Sequence, residues 1–209
     1  MRTSGINDVK VKVCGLTNLK DARTAARFGA DFLGFVFAES PRRLSLEDAL
    51  TVWGDLPPGV PRVGVFKDQT TREVGRIIER LPFGYLQFHG KESPAICRSF
   101  GLPVIKAVSA RDAGSLSGLE LHNGVADFFL VDLPKKSGGK KVLSLEIARA
   151  ALKLKKPVFL AGGFTPENVG DLLKNVHPFA VDVARGVEKS PGKKDPERLH
   201  QIIQAVRNA

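Results

Sequence analysis

The chain has 209 residues, of which 43% are hydrophobic and 26% charged, the proportions of a globular protein. This excludes an intrinsically disordered polymer, which cannot bury enough apolar surface to offset the entropy of ordering. It also excludes a membrane-spanning helix, since no run approaches ~20 uncharged apolar residues. Lys and Arg number 32 against 22 Asp and Glu, a formal net charge of +10, which bears on solubility and on the sign of partners rather than on fold.

Residues 1–8 are polar and lack an apolar run, so they read as an N-terminal extension and not as a secretory signal. From there, short β-branched or aromatic runs alternate with longer amphipathic stretches. The strands are expected at 9–14, 31–37, 61–66, 84–88, 103–108, 127–132, 157–161 and 179–183. The helices are expected at 19–28, 46–53, 71–81, 93–100, 113–121, 145–154, 166–174 and 196–206. In the last of these, Leu199, Ile202, Ile203 and Val206 recur at three and four residues, one face of a helix. Asn18, Thr165 before Pro166, and Asp195 before Pro196 are placed as N-caps. Gly29 and Gly101 stand where helix ends call for a left-handed residue.

Eight strand–helix units of about 26 residues each sit near the lower size limit of a (β/α)8 barrel. An open doubly wound sheet is the rival, but Cys14-Gly15-Leu16-Thr17 is not the Gly-rich turn that such sheets carry after their first strand. Near-equal spacing favours the closed α/β barrel, as one compact domain over residues 1–209, with the weakly hydrophobic gap at 133–141 as a loop. Two cysteines, Cys14 and Cys97, cannot build a disulfide framework, so a reduced, cytoplasmic setting is expected. Cys97, beside apolar neighbours, reads as packing.

Barrels place chemistry at the C-terminal ends of their strands. Cys14 ends the first strand and is either a small core side chain or a reactive thiol. Arg42, after Ser40-Pro41 in the second loop, has a planar fork suited to a carboxylate; Arg43 beside it reads as a surface arginine. His89 ends the fourth strand, as a hydrogen-bonding or a structural ring. Asp132 closes the apolar run 128–131 and should point into the barrel mouth, three strands from Cys14. A base and an acid so placed suit an isomerisation that moves a proton between atoms. Gly162-Gly163 after the seventh strand, before the expected helix at Thr165, and Gly186 after the eighth are either turn glycines or a backbone cradle for phosphate.

Basic residues crowd at Lys135, Lys136, Lys140, Lys141, Lys153, Lys155 and Lys156, and again at Arg185, Lys189, Lys193 and Lys194. They form a solvated surface or draw in an anionic small molecule. Nucleic acid is the least favoured partner: the chain holds one Trp and one Tyr, and no helix-turn-helix pattern.

Taken together, Val11-Lys12-Val13-Cys14-Gly15-Leu16-Thr17-Asn18, the run 29–37, Ser40-Pro41-Arg42, Val63-Gly64-Val65-Phe66, Leu86-Gln87-Phe88-His89-Gly90, Ile105-Lys106-Ala107, the run 160–169 and Gly192-Lys193-Lys194-Asp195 resemble the phosphoribosylanthranilate isomerase family of tryptophan biosynthesis. The resemblance runs from about Val9 to the C-terminus. It implies a (β/α)8 barrel; whether the assembly is a monomer or a homodimer the sequence leaves open. It also implies a cofactor-free, metal-free Amadori rearrangement of one small phosphorylated substrate, N-(5-phosphoribosyl)anthranilate. The product is 1-(2-carboxyphenylamino)-1-deoxyribulose 5-phosphate. On the matching positions Cys14 is the general base, Asp132 the general acid, Arg42 the carboxylate ligand, and the Gly162-Gly163 loop holds phosphate; beside these, Gly186 and Arg185 are expected at the phosphate site and His89 in the substrate site.

Two stretches depart from the family pattern. Ala184-Arg185 stands where the family carries two serines, which exchanges hydroxyl donors for a methyl and a guanidinium. Ser137-Gly138-Gly139-Lys140-Lys141 lacks the second half of the glycine-rich loop after the sixth strand. The related histidine-pathway isomerase, a neighbouring possibility, would pair aspartates at strands one and six, which Cys14 argues against. A basic binding protein that kept the barrel and lost turnover is the alternative from another class.

Overall fold

The computed structural model describes residues 8–132 and 145–209. The N-terminal stretch 1–7, the departure at 137–141 and the lysines at 135–141 lie outside the described residues. Eight parallel strands close into a barrel: β1 (Lys10–Cys14), β2 (Phe32–Val36), β3 (Arg62–Phe66), β4 (Tyr85–Phe88), β5 (Val104–Ser109), β6 (Phe128–Asp132), β7 (Val158–Ala161) and β8 (Ala180–Val183). Each lies within one residue, at both ends, of its expected run.

The strands alternate strictly. Cys14, Phe32, Val63, Val65, Ile105, Ala107, Leu130, Phe159, Ala161 and Ala180 pack together inside the barrel. The residues between them, such as Val13, Leu33, Phe35, Phe88, Val131 and Val181, join the larger core under the helices. Both strand faces are therefore apolar, as a parallel sheet covered by helices requires. Rings of Phe32, Tyr85, Phe128, Phe159 and Phe179 fill one end of the interior, with centroids 4.9–6.2 Å apart. With that end packed by aromatic side chains, polar groups are left to the other.

The helices are α1 (Leu19–Phe28), α2 (Leu46–Trp53), α3 (Thr71–Ile78), α4 (Pro94–Arg98), α5 (Leu145–Ala151), α6 (Val169–Leu173) and α7 (Pro196–Arg207). The expected caps hold at α1 and α7: Asn18 accepts from Asp21 N, and Asp195 accepts from Glu197 N. Gly29 ends α1 at φ 99°. At the other end of the chain, Arg207 donates to Val9 O at 2.8 Å and to Asp31 Oδ2 at 2.7 Å, fastening α7 to the start of the barrel.

Two expectations require correction. The segment Ala113–His122 is a 3₁₀ helix, not an α-helix. Its buried positions, Leu116, Leu119 and His122, recur every third residue, the period of the tighter helix. Thr165 is not the cap of α6, which starts three residues later than expected, at Val169. The intervening residues form a turn in which Asn168 N and Val169 N both donate to Thr165 O. After β8 a 3₁₀ turn (Arg185–Val187) leads into a small hairpin, β9 (Glu188–Ser190) and β10 (Lys193–Lys194).

Candidate active site

The strand ends open on a cavity of about 440 Å³. All eight residues singled out above border it: Cys14, Arg42, His89, Asp132, Gly162, Gly163, Arg185 and Gly186. Barrel closure brings β1 and β6 within three strands of each other, so the thiol and the carboxyl face one space from different strands.

Cys14 is 7% exposed and continues the interior side of β1. Burial pushes its thiol pKa up, partly offset by the ammonium of Lys12, while Asp182 adds to the rise. Its backbone carbonyl accepts from Lys194 Nζ at 2.7 Å. Cys97 belongs to the outer core, fully buried in α4.

Arg42 is buried, and its aliphatic stem lies over Gly15: a Cβ there would come 2.4 Å from Arg42 Cδ. Gly15 has φ +74°, a conformation that costs glycine little. The guanidinium is gripped by Glu188, with Nε to Oε1 at 2.8 Å and Nη2 to Oε2 at 2.5 Å. Glu188 also accepts from Lys194 Nζ at 2.9 Å and from Gly192 N at 3.2 Å. Lys194 is therefore no part of a solvated basic surface; it is 3% exposed and joined to Glu188 and to the carbonyls of Cys14 and Ala184. Arg43, by contrast, is exposed.

His89 stands beside Asp132, Nε2 to Oδ2 at 4.0 Å. Burial lowers its pKa to about 4, so the ring is neutral near pH 7. Gln87, two residues back on the same face of β4, has Nε2 3.5 Å from His89 Nδ1. The amide can meet Nδ1 as donor or, turned over, as acceptor, so the tautomer of the ring follows the orientation of Gln87.

The glycine turn is built from backbone. Gly162 has φ 142° and Gly163 φ 79°, and Asn168 folds back on it: Nδ2 donates to Gly163 O, and Oδ1 accepts from Thr165 N. A Cβ on Gly186 would lie 1.8 Å from Phe164 O, so the loops after β7 and β8 touch backbone to backbone. Arg198 locks the far side, donating to Gly186 O at 2.8 Å and pairing with Glu167. The 3₁₀ turn after β8 (Arg185–Val187) borders this glycine turn, whereas α6 begins only at Val169. Arg185 is exposed at the rim of the cavity.

Sequence reasoning passed over four polar residues here: Lys12, Gln87, Asp182 and Glu188. Lys12, Gln87 and Asp182 each sit two residues from an interior neighbour, so strand alternation was the signal available for them. Glu188 lies in the hairpin, and nothing local marks it.

A closed (β/α)8 barrel with a thiol, a carboxyl, a neutral histidine and a glycine-built turn around one cavity at its strand ends has the anatomy of a barrel enzyme acting on a small molecule. The sequence matches the family model of N-(5'-phosphoribosyl)anthranilate (PRA) isomerase over residues 11–205. It is 42% identical over 203 residues to the N-(5'-phosphoribosyl)anthranilate isomerase of Moorella thermoacetica, covering 96% of this chain and 91% of that one. A solved phosphoribosyl anthranilate isomerase in complex with reduced 1-(o-carboxyphenylamino)-1-deoxyribulose 5-phosphate superposes with a TM-score of 0.86 at 33% identity, over 96% of this chain and all of that one. Monomers generated from the dimeric Thermotoga maritima isomerase give 0.85 at 32% identity, with 96% and 100% covered. The chain belongs to the N-(5'-phosphoribosyl)anthranilate isomerase family, and its activity is that of an aldose–ketose isomerase in tryptophan biosynthesis.

Proposed function

We propose that Cys14 is the general base and Asp132 the general acid of this isomerisation. Asp132 protonates the ribose ring oxygen, the bond from C1 to that oxygen breaks, and C1 is left as an iminium with the anthranilate nitrogen. The Cys14 thiolate takes the C2 proton, and the resulting enolamine tautomerises to the 1-amino-2-ketone. Two electrons move from C2 to C1 within one molecule, so the step needs no external oxidant or cofactor. Neutral His89 lies on the Asp132 side of the site. Arg42 meets the anthranilate carboxylate with the part of its guanidinium that Glu188 leaves over. The backbone of Gly162, Gly163 and Gly186 holds the phosphate, with Arg185 at the rim.

The observation that carries this reading is the convergence of all eight residues on one cavity. The small phosphorylated substrate is further supported by the reduced ribulose 5-phosphate bound in the related structure. The proposal includes a single domain and cytoplasmic residence, the latter supported by two buried, unpaired cysteines. The assembly is a monomer or a homodimer, as the dimeric Thermotoga maritima relative suggests. None of the described helices is long and apolar enough to cross a membrane, and nucleic acid is not a partner in this proposal.

Turnover is followed as the loss of phosphoribosylanthranilate fluorescence. Cys14→Ala and Asp132→Asn should each lower kcat by about 10²-fold or more, the usual contribution of a positioned acid or base. Near-wild-type turnover by either folded variant removes that residue from the mechanism.

A further inference from the structure

A buried cation lies under the thiol, and the mechanism above leaves it without a task. Lys12 and Cys14 are two apart on β1, and the side chain of Lys12 is fully buried. Its Nζ donates to Asp182 Oδ1 at 2.8 Å, across the register pair Lys12–Asp182 of β1 and β8. On the other side, β2 pairs Cys14 with Gly34, which has no side chain. A Cβ placed on Gly34 would sit 3.1 Å from Cys14 Sγ and 3.2 Å from Lys12 Nζ. Sulfur and nitrogen thus converge on the space that the missing side chain leaves open.

An ammonium has three donors, and Asp182 takes one of them. A second, aimed at sulfur, favours a thiolate over a thiol. Other charged groups face Cys14 as well. Lys194 engages its backbone carbonyl and not its sulfur, and Arg42 acts from the second loop, both drawn to the one carboxylate of Glu188. Asp182 opposes the thiolate directly, and His89, also near Asp182 and Lys12, is neutral. Among these groups Lys12 is the cation that shares the space over Gly34 with the sulfur.

We propose that Lys12 is a positioning residue that eases formation of the Cys14 thiolate base against its burial, with Asp182 keeping Lys12 charged and in place and Gly34 providing the room for the approach. This inference rests on Cys14 being the base. Burial works against the Lys12 ammonium, but Asp182 and Cys14 outweigh it and lift its pKa above the ordinary lysine value, so the cation persists across the working pH range.

The test reads the thiol itself. Iodoacetamide alkylation of Cys14, resolved from Cys97 by peptide mass, is followed against pH in wild type, Lys12→Met/Asp182→Asn and Gly34→Ala, each checked for native circular dichroism. The double variant removes cation and anion together, so no buried charge is stranded. Its alkylation midpoint should rise by about one unit or more, a tenfold smaller thiolate fraction below the midpoint. The rising limb of kcat against pH should move up with it, and KM should change far less than kcat. Gly34→Ala keeps both charges and should shift the midpoint in the same direction by separating them. Should the double variant fold poorly, Gly34→Ala decides alone. A midpoint that stays at the wild-type pH in the folded variants overturns the proposal and leaves Cys14 free to be the base. Active Cys14→Ala, in contrast, overturns the base assignment without touching the alkylation midpoint.

Discussion

Glu188 grips Arg42 by two nitrogens of its guanidinium, across 146 residues of chain, at 2.8 and 2.5 Å. The arginine that the sequence offers to a substrate carboxylate is thus already bound along one edge to a protein carboxylate. This fixes the plane of the guanidinium and leaves its Nη1 edge outside the pair, the edge that the proposed carboxylate contact requires. Glu188 also pairs with Lys194, so two cations lean on one anion.

Glu188→Gln should therefore weaken substrate binding and the fold together. Two buried cations lose their counter-charge, which costs on the order of 3 kcal/mol. KM should rise about tenfold, as 1.4 kcal/mol of lost binding gives. Urea unfolding and steady-state kinetics on the same preparation check both. A stable variant with wild-type KM would show that Arg42 needs no such support.

Gly186→Ala should injure the loops after β7 and β8. The added methyl would overlap Phe164 O, at 1.8 Å, and backbone has to yield. Overpacking of this kind costs about 1–3 kcal/mol. Because the displaced backbone is the proposed phosphate cradle, KM and the inhibition constant of inorganic phosphate should rise in parallel. Thermal unfolding and phosphate inhibition test this, and an unchanged phosphate constant would place the anion elsewhere.

His89 makes stability depend on pH in a stated direction. Its folded-state pKa of about 4 lies below the ordinary 6.5. Between those values the unfolded chain binds a proton that the folded chain refuses. Stability is thus undiminished above pH 6.5 and falls as pH drops toward 4. The loss attributable to this ring is about 2 kcal/mol by pH 4.5. His89→Gln should flatten the wild-type difference between pH 7 and pH 4.5 by that amount in urea unfolding. Equal differences in both proteins would mean that the ring titrates normally.

Arg185, exposed at the rim, should act through potential and not through a fixed bond. Arg185→Ala should raise KM about two- to fivefold at low ionic strength, with the gap closing as salt screens the charge. A KM that matches wild type at every ionic strength would make the arginine a surface substitution.

The sequence alone determined the barrel, because hydrophobic periodicity is a local property. All eight strands lie where β-branched and aromatic runs predicted them, since a strand covered on both faces has to be apolar throughout. Strand-end residues were equally legible, because the fold assigns chemistry to one end of the barrel. Local reading failed where a side-chain turn or a tighter period displaces a regular helix, and again where distant chain segments share the same groups. The caps of α6 gave way to Asn168 folding back on Gly163, and the leucines at 116 and 119 followed a period of three. Lys194 counts as a surface charge by composition and is buried against Glu188 only because a hairpin 180 residues after Cys14 closes over its carbonyl. The tertiary structure alone decided which charges pair. Lys12 with Asp182 and Arg42 with Glu188 are separated by 170 and 146 residues, and burial makes such partners obligatory where sequence proximity cannot reveal them.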